Sequence, residues 1–376
     1  MAKSLEKFPH NDIISLTAEE ARYDLAESVG PDLRLKDLLD GAAGDLADLP
    51  LAYGSPAGRA DLRQAIAMLH DVQADEVITT VGGMHALFLL ATVLCAPGDE
   101  VVLTSPGFPN TRTVFASTGA QIRTLALSFE DNYRLSVAAL EEQLSPKTSL
   151  VCLTSPQNPS GVTTPTETIA KILQRMQAVC PDAYLLIDET YREAAYGNNA
   201  VVPSPAYLSR RIISCASLSK CRGAPGLRLG WLIVRDPALR QQLILAKFNT
   251  VISCSAIDEA LALRVLERSG TILNERRERL REGLARVADW VAAESKFVEW
   301  VRPDAGALCC IRLRPSAFEE DAVARFYQEL TREQVRVARG DWFGETPRVF
   351  RLGFGLLKLE DLEIALSRVS EVLRRL

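Results

Sequence analysis

Through the middle of the chain, short β-branched and apolar runs alternate with longer stretches whose apolar residues recur every three or four positions. The runs Glu76–Val81, Glu100–Thr104, Leu150–Thr154, Ala183–Ile187, Ile212–Ile213 and Trp231–Val234 read as strands. Helical patterns cover Ala60–His70, an apolar segment opened by Gly82-Gly83-Met84, and a segment starting near Thr164 or Pro165. A helix-rich stretch, 237–267, and a long charged helix, 271–294, follow. Strands alternating with helices predict an α/β fold, a mostly parallel, doubly wound sheet flanked by helices. The pattern then changes: strands at Val298–Val301 and Ala307–Leu313, a helix from Glu319, a strand at Arg348–Gly353 and a final helix predict a smaller α+β part. Residues 1–45 read as irregular and mostly polar, with a turn at Gly30-Pro31 and a short helix over Leu35–Leu39. No repeat or low-complexity segment interrupts this order.

At 376 residues the chain has room for two domains. A net charge of -5 gives no basic surface for nucleic acid. The longest apolar run, Ala86–Ala96, falls well short of the ~20 residues that cross a bilayer, so it predicts a buried helix and no membrane partner. Met1–Lys7 has no apolar stretch behind it that would make a leader. None of the 8 cysteines forms a C-x-x-C pair and most sit in apolar contexts, which predicts a reducing, cytoplasmic setting. Cys309 and Cys310, adjacent in a strand, should face opposite ways. With 3 scattered histidines (His10, His70, His85), no metal site is expected.

Chemistry concentrates in Ser214–Trp231. Lys220 stands there on a turn-rich loop of small residues, beside the hydroxyls of Ser217 and Ser219 and the cation of Arg228. A lysine near a cation and away from bulk water loses its proton more readily, and the free amine condenses with an aldehyde. Two hydroxyls and a guanidinium are the donors that a phosphate wants. An aldehyde-condensing lysine next to a phosphate cradle describes a site for pyridoxal 5'-phosphate.

Ser-Leu-Ser-Lys220, with Gly-Leu-Arg228-Leu-Gly after it, resembles the lysine signature of fold type I, class I/II aminotransferases, the aspartate aminotransferase superfamily. The resemblance covers nearly the whole chain. It implies a large cofactor-binding domain over 46–270 and a small domain made of 1–45 and 271–376. It also implies a homodimer with shared active sites, in which Tyr53 reaches the cofactor phosphate of the neighbouring subunit. Otherwise Tyr53 packs under its own loop. Gly82-Gly83-Met84, at a strand-to-helix turn, matches the family's phosphate-binding turn, where backbone N–H groups meet an anion.

Phe108 takes the place of the aromatic that stacks on the cofactor ring, or else is a core residue at a strand end. Asn158, in Ser155-Pro-Gln-Asn-Pro-Ser-Gly161, would bond the cofactor's phenolic oxygen, or would cap the helix that follows. Asp188 would pair with the ring nitrogen and Tyr191 would contact the phenolic oxygen; alternatively, Asp188 is a helix cap. Arg351 fits the family's fork onto the substrate α-carboxylate better than Arg348, with an edge-strand surface arginine as the other reading.

The activity implied is ping-pong transfer of an amino group between an L-amino acid and a 2-oxo acid. One departure stands out. The usual Gly-Glu-Pro-Asp loop is replaced by Tyr23-Asp-Leu-Ala-Glu-Ser28, which, together with Pro225-Gly-Leu-Arg228 and Arg351-Leu-Gly-Phe-Gly355, gives a weaker resemblance to the capreomycidine-synthase-like branch. That branch implies a cyclase, eliminase or oxidase acting on an arginine-like amino acid, with Asp24 or Glu27 facing the substrate's cation.

Overall fold

The computed structural model describes residues 7–18, 21–39, 46–196 and 201–376. The absence of a leader was read from Met1–Lys7, and all but the last of those residues lie outside this set. The strands in chain order are β1 (Tyr23–Asp24), β2 (Val77–Val81), β3 (Glu100–Ser105), β4 (Gln121–Ala126), β5 (Thr148–Thr154), β6 (Tyr184–Asp188) and β7 (Ile212–Ser217). They continue with β8 (Leu229–Val234), β9 (Val298–Val301), β10 (Leu308–Leu313), β11 (Val335–Arg336), β12 (Ala338–Arg339) and β13 (Val349–Gly353).

Seven strands form one sheet in the order β2-β8-β7-β6-β5-β3-β4, in which only β8 runs against its neighbours. The central strands are continuous apolar runs because helices cover both faces. On one face Leu89 and Leu90, from the helix Gly82–Leu94, pack with Leu103, Leu186 and Leu232. On the other, Ile169, Ile172 and Met176 pack with Val151, Leu185 and Ile187. The apolar run that begins at Ala86 thus lies in a buried helix. Among the described residues, no helix is long and apolar enough to cross a membrane.

A second, antiparallel sheet has the order β12-β13-β10-β9, and β1 pairs in parallel with β11. Cys309 packs into the core of this C-terminal part, whereas Cys310 faces the cluster shared with the large sheet, as adjacent strand residues must. Strand β4 escaped the pattern reading. It is the sheet edge, half covered, and Gln121, Arg123 and Thr124 dilute its apolar signal. The helix Pro109–Ala116 was also missed. Proline at its first position starts it, but its eight residues show too little periodicity.

Candidate active site

Strands β2, β3, β5, β6 and β7 all run one way, so their C-terminal ends lie along a single sheet edge, where ligands of such folds gather. Thr80 of β2 and Ser217 of β7 both stand opposite Gly230 of β8, which brings Gly82, Ser217 and Arg228 to one corner. Gly82 has φ +71, and a Cβ on it would lie 2.5 Å from Arg228 Nη2. Only glycine lets that guanidinium approach the first turn of the helix. Arg228 itself is left-handed, and its Nη1 donates to Pro225 O at 2.8 Å. The Ser217 hydroxyl accepts from Ser219 N at 3.4 Å. The Met84 side chain packs into the apolar core, so that residue offers the corner only its backbone. Helix-start amides, a hydroxyl and a guanidinium meeting where no Cβ fits suit a phosphate.

Asp188 ends β6. Its Oδ1 accepts from Thr190 N at 3.0 Å and from Thr190 Oγ1 at 2.5 Å, and no helix starts there, so it is not a cap. Burial pushes its carboxyl above the ordinary range, an effect that the Thr190 bonds offset in part. A ring N–H carrying positive charge would suit such a carboxylate.

Arg351, in β13, is 2% exposed and reaches across to the large sheet. Its Nη1 donates to Asn158 Oδ1 at 2.9 Å and its Nη2 to Ala26 O at 2.5 Å, while its Nε has no hydrogen-bond partner among the described residues. Burial lowers its pKa, so the guanidinium lies in a dry place with a donor to spare, as a carboxylate would require. Asn158 therefore does not cap the next helix; Pro165 holds that position.

Lys220 Nζ donates to Ser28 Oγ at 3.2 Å, and Ser28 Oγ lies 2.8 Å from the Tyr191 hydroxyl. The loop behind Lys220 is anchored by Arg222, fully buried, whose two terminal nitrogens grip Glu193 while its Nε donates to Ser269 at 2.8 Å. The Arg222 guanidinium overcomes the effect of burial and holds the Glu193 carboxyl below its usual range.

Phe108 is partly exposed at the start of the helix Pro109–Ala116, not a core residue. Tyr53 is 83% exposed, so it does not pack under its own loop. It makes no hydrogen bond to the gathered groups among the described residues. Arg348 is neither a surface arginine nor part of the site; it is buried and bonds Phe318 O and Glu320. Asp24 is likewise occupied, by Ala26 N at 2.9 Å and Arg336 Nη2 at 2.5 Å. An ion pair with Arg336 thus already engages this carboxylate, whereas Glu27 has no such partner among the described residues.

Sequence reading missed Ser28, Thr190, and the pair Glu193–Arg222. Asp-x-Thr is a turn signature that points to Thr190. Nothing local marks Ser28, whose partners lie 163 and 192 residues away.

Across residues 12–369 the chain matches the family model for aminotransferase class I and II. It is 28% identical over 334 residues to the arginine–pyruvate transaminase of Pseudomonas aeruginosa, covering 85% of this chain and 81% of that protein. It is 29% identical over 330 residues to the capreomycidine synthase of Streptomyces vinaceus, covering 88% and 82%. The aspartate aminotransferase structure from Thermotoga maritima matches with a TM-score of 0.85 at 23% identity, over 100% of both chains, which shows the fold. With its mostly parallel sheet, its lysine loop and a family match that runs almost from end to end, the chain belongs to the class I and II aminotransferases.

Proposed function

We propose that this aminotransferase holds pyridoxal 5'-phosphate on Lys220 and moves an amino group between an L-amino acid and a 2-oxo acid by a ping-pong mechanism. The observation that carries the reading is the meeting at one sheet edge of Lys220, the half-buried Asp188 carboxylate, and a buried Arg351 whose Nε has no hydrogen-bond partner among the described residues. Gly82, Gly83, the Met84 backbone, Ser217, Ser219 and Arg228 form the phosphate corner, and Tyr53 of a second subunit completes it. Phe108 offers a flat face to the ring. Asp188 would face the ring nitrogen, while Asn158 and Tyr191 would face the phenolic oxygen. Bound there, the cofactor supplies a ring that draws electrons from the substrate's Cα.

The chain's own residues do the rest. Arg351 forks onto the α-carboxylate, with Asn158 fixing the plane of the guanidinium. That grip orients the Cα–H bond, and Lys220 Nζ takes the proton. Within this reading 46–270 form the large domain, and 1–45 with 271–376 the small one. The free cysteines, all buried, fit the proposed cytoplasmic setting.

Initial rates measured with an amino acid and a 2-oxo acid varied together should give parallel reciprocal lines. A second reading, a cyclase, eliminase or oxidase acting on an arginine-like amino acid, draws on Glu27. That carboxylate is half-buried beside Ser28, its charge is felt by Arg351, and it makes no hydrogen bond or ion pair among the described residues. The capreomycidine synthase relative points the same way. Sustained product from the amino acid alone, with no 2-oxo acid present, would establish this reading and overturn transamination.

The dimer is proposed from the apolar residues left outside. Leu51 (80%), Phe88 (41%), Phe248 (49%) and Ile257 (44%) are exposed around Tyr53 and the helices beside it. Gly54 N bonds Ser253 Oγ at 3.3 Å, which joins the Tyr53 loop to that face. In a statistical mixture of Tyr53→Ala and Lys220→Ala protomers, half the dimers are mixed and each mixed dimer holds one intact site. Activity should therefore return to roughly a quarter of wild type. If Tyr53 acted within its own chain, no intact site would form and the mixture would stay inactive.

A further inference from the structure

The N-terminal segment that carries the unusual Tyr23–Ser28 sequence does more than cover the site. It is fastened on both sides of Ser28. Upstream, Leu25 N donates to Arg336 O at 2.8 Å and Gly353 N to Leu25 O at 2.7 Å. A Cβ at Gly353 would lie 1.8 Å from Glu27 O, so the segment lies directly against β13. Downstream, Leu33 N donates to Gly223 O at 2.7 Å and Arg276 bonds Pro31 O. Between these anchors Ser28 is 3% exposed, and its backbone position is set by the segment. That hydroxyl takes a bond from Lys220 Nζ at 3.2 Å and shares another with Tyr191 at 2.8 Å.

We propose that Ser28 is a positioning residue, whose bridging hydroxyl holds the Lys220 amine and the Tyr191 hydroxyl in place whenever Nζ is not covalently engaged. The inference rests on the proposed role of Lys220 as the reactive amine. A lysine on a four-carbon stem has many rotamers, and its amine serves as a base only in the few that face the substrate's Cα. One buried hydroxyl, carried on an anchored backbone and bonded to Tyr191 on its other side, selects among them. Two residues earlier on the same segment, Ala26 O accepts from Arg351, so a single strap ties the carboxylate grip to the amine.

The test compares Ser28→Thr, which keeps the hydroxyl, with the isosteric Ser28→Val, which does not. Ser28→Val should lower kcat about tenfold, the size of one net hydrogen bond to a charged or polar group, with KM for the amino acid nearly unchanged. Ser28→Thr should restore most of that loss. Independently of turnover, trinitrobenzenesulfonate labelling of the Lys220 peptide in cofactor-free protein should run several-fold faster in Ser28→Val than in Ser28→Thr. Equal labelling in the two variants overturns the proposal, and so does a loss that appears in KM and kcat alike for both, because that is the mark of a strap merely displaced. If wild-type protein treated with pyridoxal phosphate and borohydride carries the label on another lysine, the reading of Lys220 itself has failed.

Discussion

Replacing Lys220 with alanine should lower transamination by at least about 10⁴-fold, the upper range of a single general base. The loss should be large because the proposed mechanism gives one nitrogen two tasks: anchoring the cofactor and moving the Cα proton. No neighbour can take over either task. Ser28 and Tyr191, its partners, are hydroxyls, too weakly basic for the second and unable to condense with an aldehyde for the first. The fold should survive. Lys220 is only part-buried, and the loop is held by Arg222, Glu193 and Ser269 and not by the lysine. Circular dichroism and the melting temperature of cofactor-free protein should therefore match wild type. Adding a small primary amine should return part of the proton transfer without restoring the covalent link. Activity within tenfold of wild type in Lys220→Ala would remove the lysine from both tasks.

Much of this arrangement was legible beforehand, for a physical reason. Parallel strands buried on both faces leave unbroken apolar runs, and each run here ends at a residue of the site: β6 at Asp188, β5 before Asn158, β7 before Lys220. The chain direction that makes a strand detectable thus also places its last residue. What escaped was of another kind. The edge strand β4, wet on one side, carries a diluted signal. Ser28 meets Lys220 and Tyr191 only through the return of the N-terminal segment across both sheets, and no local pattern encodes such a meeting. Asp24 shows the reverse case. An acidic residue near a site suggested a substrate contact, but Arg336, 312 positions away, already holds it.

Changing Asp188 to alanine should separate the enzyme's stability from its chemistry. In cofactor-free protein the carboxylate should weigh against the fold. Burial pushes its pKa up, and the two bonds from Thr190, with the charge of Lys220, offset only part of that. The sign follows from linkage. A carboxyl whose folded-state pKa lies above its unfolded value destabilises the fold once pH exceeds the unfolded value, near pH 3.8 in the reference scale. The alanine variant without cofactor should then melt no lower than wild type at neutral pH, and the two should converge as the solution is acidified. With pyridoxal phosphate bound, the order should reverse, because a ring N–H would add a close counter-charge to this half-buried carboxylate. Turnover should fall by about 10²–10⁴-fold, since without the carboxylate the ring nitrogen loses its proton and draws electrons poorly. Asp188→Asn, which keeps the shape and the Thr190 contact but not the charge, should show nearly the whole loss. If Asp188→Asn turns over like wild type, or if the alanine variant gains as much stability from the cofactor as wild type does, the carboxylate is a turn residue and the electrostatic role is wrong.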